Sequence, residues 1–290
     1  MQARSGRRRL FAARSTRAPA RVHPQGAAWF EQHLAAWEAC HAATLPPPLR
    51  QLLLDEGAAV SSKLVAWLLW AMAHVGAYRR YRQQALDPSQ RLSMVRGGAD
   101  ELSALHDAEL RDGIVRLQQR VQQECSLLEA RCGQLLGSRQ ELVWGFDLVK
   151  SRTFSAPAPC AGSSWAGVKS SSISIYMPFA DLANHSPWPS CEFVVVDGSP
   201  QHPQNEQQQL PASCPSSTSR AWRFVLQPRA TCRGIGPQQE ISISYGDGLS
   251  NAQLLASYGF CLPGNPHDRL PAAWLSQQPA AAIKTQLLAR

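Results

Sequence analysis

The sequence predicts an α+β fold in which helices occupy the first half of the chain and small, mostly antiparallel sheets occupy the second. Between residues 110 and 135, apolar residues are spaced alternately three and four apart, which indicates a long helix. Beyond residue 170 the character becomes strand-like, with short β-rich runs at 173–175, 193–196, 222–226 and 241–244. At 290 residues and 44% hydrophobic content the chain can bury a sizeable core, which excludes a disordered or fibrous protein.

The first helical segments lie before residue 88. A helical pattern over 28–40 is closed by the prolines at 46–48. A second helix carries Trp67 and Trp70, with Ser61 or Ser62 as its N-cap.

The most apolar stretch of that second helix, residues 64–75, is shorter than the about 20 residues that a bilayer requires. We therefore predict a buried helix and no membrane partner. Asp87-Pro88 ends the helical region.

The apolar stripe over 110–135 has two interpretations. It is either a coiled-coil seam or the face of a helix that packs against its own domain. The second is preferred, because the flanking charges of a coiled coil are not sustained. A further apolar segment, 142–149, leads into Ser151-Arg152.

The formal charge of +8 is concentrated at the amino terminus, where arginines precede the first acidic residue, Glu31. Residues 1–25 are rich in Arg, Ala and Ser, the composition of an organelle transit peptide. Because this charge is not interleaved with aromatic residues, we expect no nucleic-acid partner. The eight cysteines form no C-x-x-C pair, so we predict free thiols and no metal site.

Residues 197–220 are rich in Pro, Gln and Ser and lie between two strand signals. This polar composition predicts a disordered hairpin insertion.

Three segments stand out in the second half of the chain. Ser-Arg-Thr-Phe occupies 151–154, and Pro-Phe-Ala-Asp-Leu-Ala-Asn-His-Ser occupies 178–186. The third is Glu-Ile-Ser-Ile-Ser-Tyr-Gly at 240–246, which continues to 250–255 and 258–260. In this order and spacing they resemble the SET-domain methyltransferases of the Rubisco large-subunit and actin-histidine methyltransferase type, over roughly residues 140–265.

The resemblance implies an S-adenosylmethionine-dependent methyltransferase that acts on lysine, or on histidine as the less favoured choice, of a non-histone protein. It implies a knot-like crossing around Asn184-His185. Tyr245 matches the tyrosine at the methyl-transfer centre and is the expected catalytic residue. Asp181 is expected to brace the turn before Asn184. The residues expected to bind the cofactor are Arg152, Asn184, His185, Tyr258 and Phe260.

The resemblance divides the chain into a basic arm (1–25), a helical insert-like region (26–140), the carboxy-terminal half of a SET core (141–265) and a tail (266–290). The arm is either a transit peptide or a degenerate start of the SET domain. Its Gly-Arg-Arg-Arg at 6–9 has arginines where the family has a Gly-x-Gly loop, which predicts weak cofactor binding. The family's helical carboxy-terminal domain is not matched.

Two functions therefore stay open, an active protein-lysine methyltransferase and an inactive or truncated SET-like module that binds a protein partner. We expect a monomer. The arm favours the chloroplast if it is a transit peptide, and the nucleus or cytoplasm otherwise.

Overall fold

The computed structural model describes residue 38 and residues 44–157, 172–197, 222–230 and 234–269. Between residues 44 and 152 of this described part, six α-helices precede the strands, as the sequence predicted. One more helix follows the strands, and the sequence did not predict it. They are α1 (Pro47–Leu54), α2 (Val60–His74), α3 (Gly76–Ala85), α4 (Ala99–Ser103), α5 (Ala108–Cys132), α6 (Arg139–Arg152) and α7 (Asn251–Tyr258).

The buried helix predicted around Trp67 and Trp70 is α2, but its start differs from the prediction. It begins at Val60, and its N-cap position is Ala59, which makes no side-chain cap. Ser62 is buried, and its hydroxyl donates to Glu124 of α5 at 2.6 Å. The prediction that Ser61 or Ser62 is the N-cap is therefore wrong, because both lie inside the first turn and Ser62 bonds the neighbouring helix.

The chain turns sharply between α2 and α3 at Val75, whose backbone is extended. The two helices meet at 96°. Among the described residues, no single helix has the length and apolar character of a membrane span. The bent pair of α2 and α3 reaches that length and apolar composition only when the two helices are taken together. The prediction that the helical region ends at Asp87-Pro88 agrees with the end of α3 at Ala85.

Helix α5 carries the predicted apolar stripe. Asp107 caps its first turn by accepting a hydrogen bond from the backbone N–H of Leu110 at 3.0 Å. Residues of the stripe are buried against α1, α2 and α6 of the same chain, so the preferred interpretation of the stripe is confirmed. They include Val121, Cys125, Leu128 and Cys132. Ile114 is buried in a second, smaller cluster with Met94, Leu110 and Ala256.

Helix α6 also packs against the apolar core. Ser138 and Glu141 form a capping box at its start, in which each side chain accepts a hydrogen bond from the other residue's backbone N–H. Gly145 lets α2 approach closely, because a Cβ at this position would lie 2.9 Å from Val65. Leu148 and Trp144 of α6 are buried in the same apolar core.

Six short strands form three two-stranded sheets in the described residues. The antiparallel pairs are β1 (Thr153–Pro157) with β2 (Ser172–Tyr176) and β4 (Cys191–Asp197) with β5 (Trp222–Pro228). The third pair is parallel and joins β3 (Asn184–His185) to β6 (Ser242–Ile243).

The strands begin earlier than the sequence predicted. Strand β1 starts at Thr153, directly after α6, rather than beyond residue 170. Asp197 of β4 pairs with Trp222 of β5, so the two ends of the predicted insertion lie opposite each other, as in a hairpin.

Several predictions fall outside the described residues. They are the arm at 1–25, the helix at 28–40 apart from Glu38, which is helical, the insertion at 197–220 apart from Asp197, and the tail beyond residue 269. The described cysteines, Cys125, Cys132, Cys191 and Cys261, are free thiols.

Candidate functional site

The candidate site is built where β3 and β6 pair side by side. The parallel register sets Asn184 opposite Ser242 and His185 opposite Ile243. The backbone N–H of Ser186 donates to the Ile243 carbonyl at 2.9 Å, which extends the pairing by one residue. Two segments that are distant in sequence, 178–186 and 240–246, are thereby brought together.

A second pair of contacts fastens β6 to the chain after β3. The N–H of Ser242 donates to the Ser190 hydroxyl at 3.0 Å, and the N–H of Ser190 donates to the Ser242 hydroxyl at 3.2 Å. Each serine therefore satisfies a backbone donor of the other. The pairing of so short a strand is supported by side chains as well as by backbone.

Tyr245 follows β6 and is held at both ends. Its backbone N–H donates to Nδ1 of His185 at 3.1 Å, and its hydroxyl donates to the carbonyl of Ala183 at 3.1 Å. Burial raises the pKa of Tyr245, and the Arg152 guanidinium acts in the opposite sense. The hydroxyl therefore keeps its proton at neutral pH and lies beside the Asn184-His185 strand.

Three rings surround this tyrosine, and together with it they form what we call the aromatic cluster: His185, Tyr245, Tyr258 and Phe260. The centroid distance between Tyr245 and Tyr258 is 4.5 Å, and that between His185 and Tyr245 is 5.3 Å. Phe260 lies 6.1 Å from His185 and 6.3 Å from each tyrosine. The Tyr258 hydroxyl also donates to the Tyr245 carbonyl at 3.3 Å. These aromatic faces can contact a cationic ligand group.

Asn184 and His185 differ in their surroundings. Asn184 is exposed, and its amide donates to Glu240 Oε1 at 2.6 Å. His185 is half-buried, and burial lowers its pKa, although the Ile243 carbonyl acts in the opposite sense. Nδ1 of His185 accepts a hydrogen bond from Tyr245, which requires that this nitrogen carry no proton.

Tyr258 and Phe260 are presented by the end of α7. Ser250 and Gln253 form a capping box at its start, and Gly259 ends it with a left-handed φ of 73°. A Cβ at Gly259 would lie 3.2 Å from the carbonyl oxygen of Leu92, so a loop of the helical region touches this turn. A glycine at this position therefore allows the left-handed backbone that ends α7 and also allows the Leu92 backbone to approach closely.

The loop that touches Gly259 is itself anchored in the core. Asp147 of α6 is fully buried and accepts hydrogen bonds from the Leu92 N–H at 3.0 Å and from the Ser93 hydroxyl at 2.5 Å. Burial raises the pKa of Asp147, and the Ser93 hydroxyl acts in the opposite sense.

Arg152 ends α6 and contacts Asp181. Its Nη1 donates to the Asp181 backbone carbonyl at 3.0 Å and to its carboxylate Oδ2 at 3.1 Å. The hydroxyl of Tyr81, a residue of α3, donates to the same carboxylate oxygen. Asp181 thus holds the 3₁₀ turn Ala180–Leu182 directly before Asn184, in the bracing position that the sequence suggested.

The structure brings together five of the six predicted site residues, Asn184, His185, Tyr245, Tyr258 and Phe260. Arg152 lies beside them, bonded to Asp181. Sequence reasoning missed Tyr81, because nothing distinguishes it from Tyr78 on the same helix. No group of three or more His, Cys, Asp or Glu side chains suited to a metal occurs within the described ranges.

No protein-family model matches the chain, and the comparison with curated proteins found no match. Among solved structures, the SET domain of LSMT bound to lysine and AdoHcy matches with a TM-score of 0.51 at 19% identity, over 71% of this chain and 42% of that one. Rubisco LSMT bound to AdoMet matches with a TM-score of 0.47 at 17% identity, over 74% and 44%. The chain spans less than half the length of these structures. The first match supports the predicted α+β class, and the conclusion is that this chain has the SET-domain fold.

Proposed function

We propose that this chain is an S-adenosylmethionine-dependent lysine N-methyltransferase that acts on a non-histone protein. The observation that carries the proposal is the placement of Tyr245, whose hydroxyl bonds the Ala183 carbonyl beside Asn184 and His185. The matched SET domain of LSMT was solved with lysine and AdoHcy, which agrees with this reaction class.

The residues of the candidate site fit this cofactor. A sulfonium is a cation, and the aromatic cluster offers ring faces to it. The positive charge of Arg152 is offset by Asp181 at 3.1 Å, so it opposes a cationic ligand less than a free guanidinium would. Asn184 and His185 would hold the cofactor, with Tyr258 and Phe260 beside them. When bound, the cofactor supplies an electrophilic methyl group.

The contribution of the chain is mainly positioning. Because burial raises the pKa of Tyr245, its hydroxyl stays neutral and can orient an incoming amine without competing as a nucleophile. A lysine amine has an ordinary pKa of about 10.4 and must lose a proton before it can react. Loss of water around the amine in the partly buried site disfavours the ammonium form, so it favours this loss.

The first test is cofactor binding followed by transfer. Calorimetric titration with S-adenosylhomocysteine should give measurable heat, and incubation with labelled S-adenosylmethionine and a protein extract should label a protein. The arginines at 6–9 predict a dissociation constant nearer the millimolar than the micromolar range, roughly 4 against 8 kcal/mol. Mass spectrometry of the labelled protein distinguishes methyl-lysine from methyl-histidine.

Tyr245→Phe is the variant that tests the assigned role. We expect turnover to fall tenfold or more, about 1.4 kcal/mol of barrier, while cofactor affinity stays nearly constant. Tyr78→Phe is the matched control, because it removes a hydroxyl from a ring that packs edge-on against Trp67 in the helical region.

Two results would contradict the proposal. A Tyr245→Phe protein that transfers methyl groups at the wild-type rate would exclude this tyrosine from the reaction. A wild-type chain that gives no heat with S-adenosylhomocysteine would favour the alternative, an inactive SET-like module that binds a protein partner.

The remaining expectations concern partners and location. We propose a protein substrate, a monomeric state and, from the composition of residues 1–25, a chloroplast location, with nucleus or cytoplasm as the alternative. Mass spectrometry of the mature amino terminus tests the location, since a transit peptide would be removed.

A further inference from the structure

A buried polar cluster joins the helical region to the candidate site. Its members are Tyr81 of α3, Arg152 of α6, Tyr176 of β2 and Asp181 of the 3₁₀ turn. Tyr81 is 0% exposed and Asp181 is 4% exposed. Four separate elements of the chain therefore meet at one carboxylate, out of contact with bulk water.

The direction of the hydrogen bonds in this cluster follows from its chemistry. Each tyrosine hydroxyl has one proton to donate. Tyr81 donates its proton to Asp181, so its oxygen accepts from Tyr176 at 2.7 Å. The Tyr176 hydroxyl also lies 3.4 Å from the same carboxylate oxygen, Oδ2. Arg152 donates to the same Oδ2, whereas Oδ1 is buried with no hydrogen-bond partner in the described part of the chain. Within the described residues, this carboxylate therefore accepts hydrogen bonds through Oδ2 alone.

Tyr81 touches the turn at a second point. Its ring packs edge-on against Phe179, with the centroids 5.1 Å apart. Phe179 precedes the 3₁₀ turn and has a positive φ of 71°, a strained conformation for a residue with a side chain. A strained residue persists only where its surroundings hold it, and the Tyr81 ring is one of the groups that do so.

The turn leads directly to the site. Asp181 lies two residues before Ala183, whose carbonyl accepts the hydrogen bond of the Tyr245 hydroxyl. Ala183 in turn precedes the strand that carries Asn184 and His185. Any shift of Asp181 therefore moves the acceptor that orients Tyr245.

We propose that Tyr81 is a positioning residue of the candidate site: acting from α3 through Asp181, it holds the Ala183 carbonyl that orients the Tyr245 hydroxyl. The structural part of this inference stands on its own, and its effect on turnover rests on the proposed function. Tyr81 itself does not need to touch substrate or cofactor.

The test uses hydrogen exchange of the full chain, which requires no substrate. The amides of Ala183, Ser186 and Tyr245 each donate a described hydrogen bond and so report on the turn and on the β3–β6 pairing. In Tyr81→Phe their exchange should be tenfold faster or more, while the amides of α5 keep their wild-type rates.

Tyr78→Phe is the matched control from the same helix, and it should leave all of these rates unchanged. Wild-type exchange at the three reporter amides in Tyr81→Phe would overturn the inference. Equal acceleration in α5 would also overturn it, because the effect would then be a general loss of stability. If Tyr81→Phe does not fold, Tyr176→Phe is tested in its place. We expect exchange at the three reporter amides to be about threefold faster in this variant. Wild-type exchange rates in Tyr176→Phe would overturn the inference.

Turnover separates this inference from the proposed function. If wild type transfers methyl groups, Tyr81→Phe should lower kcat at least fivefold and leave the KM for the protein substrate unchanged. An unchanged kcat together with accelerated exchange would overturn the catalytic part of the inference. If the wild-type chain transfers no methyl group, the proposed function is wrong. The hydrogen-exchange result then tests only whether Tyr81 positions the turn.

Discussion

The two halves of the molecule are stabilised by different kinds of contact. The helical half, residues 44–152, contains the continuous apolar core formed by α1, α2, α5 and α6. In the strand half, the described part of 153–269, the buried apolar side chains include Cys191, Ile243, Leu254 and Ala256.

Polar contacts between separate segments join these side chains in the strand half. They include the reciprocal bonds of Ser190 and Ser242 and the Asn251 amide, which donates to Asp268 and to the Leu262 carbonyl. A hydrogen bond adds only about 1 kcal/mol net but depends strongly on direction. The difference teaches that apolar burial stabilises the helical half, whereas directional polar contacts orient the segments of the strand half.

The largest effect expected from this comparison concerns the helical core. Leu148 is 0% exposed, so Leu148→Ala should lower the free energy of unfolding by about 3 kcal/mol. Leu182→Ala in the strand half removes a half-exposed side chain and should cost less than about 0.5 kcal/mol. Denaturant unfolding measures both, and equal losses would show that the strand half stores as much stability as the helical half.

A smaller effect concerns the polar contacts of the strand half. Because burial lowers the pKa of His185 in the folded chain, its neutral form contributes stability above the ordinary pKa of 6.5, which is lost as pH falls through the folded value. Protonated Nδ1 can no longer accept from Tyr245.

Between pH 7 and pH 5 the wild-type Tm should therefore fall by about 2–4 °C more than that of His185→Asn, the equivalent of one hydrogen bond. The asparagine oxygen can replace Nδ1 as acceptor and does not titrate. Parallel pH profiles of the two proteins would mean that this contact does not stabilise the strand half.

The smallest expected effect concerns the segment between β4 and β5. Asp197 pairs with Trp222, so a two-residue Asn-Gly turn can join these strands in place of residues 198–221. Polar loops contribute little to stability, so the Tm should stay nearly unchanged. A fall of more than about 5 °C would show that the segment packs against the strand half.

The sequence predicted that the first half is helical and that the second half consists of short strands. It did not predict where several of these elements begin, and the reasons are physical. The stripe on α5 was readable because a helix with one buried face must repeat its apolar residues with helical spacing. The start of α2 was not, because Ser62 bonds Glu124, a residue distant in sequence, instead of capping its own helix. The early start of β1 at Thr153 had no signal beyond the end of α6.

The candidate site shows the same division. Tyr245 and Asn184-His185 were predictable from motif order, although their roles stay predictions. The Arg152–Asp181 contact and the Tyr81 hydroxyl were not, since α3 places Tyr78 and Tyr81 three residues apart with no difference in their local sequence that marks one as polar-bonded. Tertiary pairing of buried hydroxyls leaves no periodic trace.

The parallel pairing of β3 with β6 also bears on how fast the chain folds. It joins residues 184 and 242, and the β4–β5 hairpin lies entirely within the loop that this pairing closes. If the hairpin forms first, the effective loop becomes several times shorter, which lowers the entropy cost of closure by roughly 1 kcal/mol. A hairpin with no residue in the aromatic cluster would then control the rate at which the Tyr245 environment assembles, and variants that slow β4–β5 pairing would delay the last step of refolding.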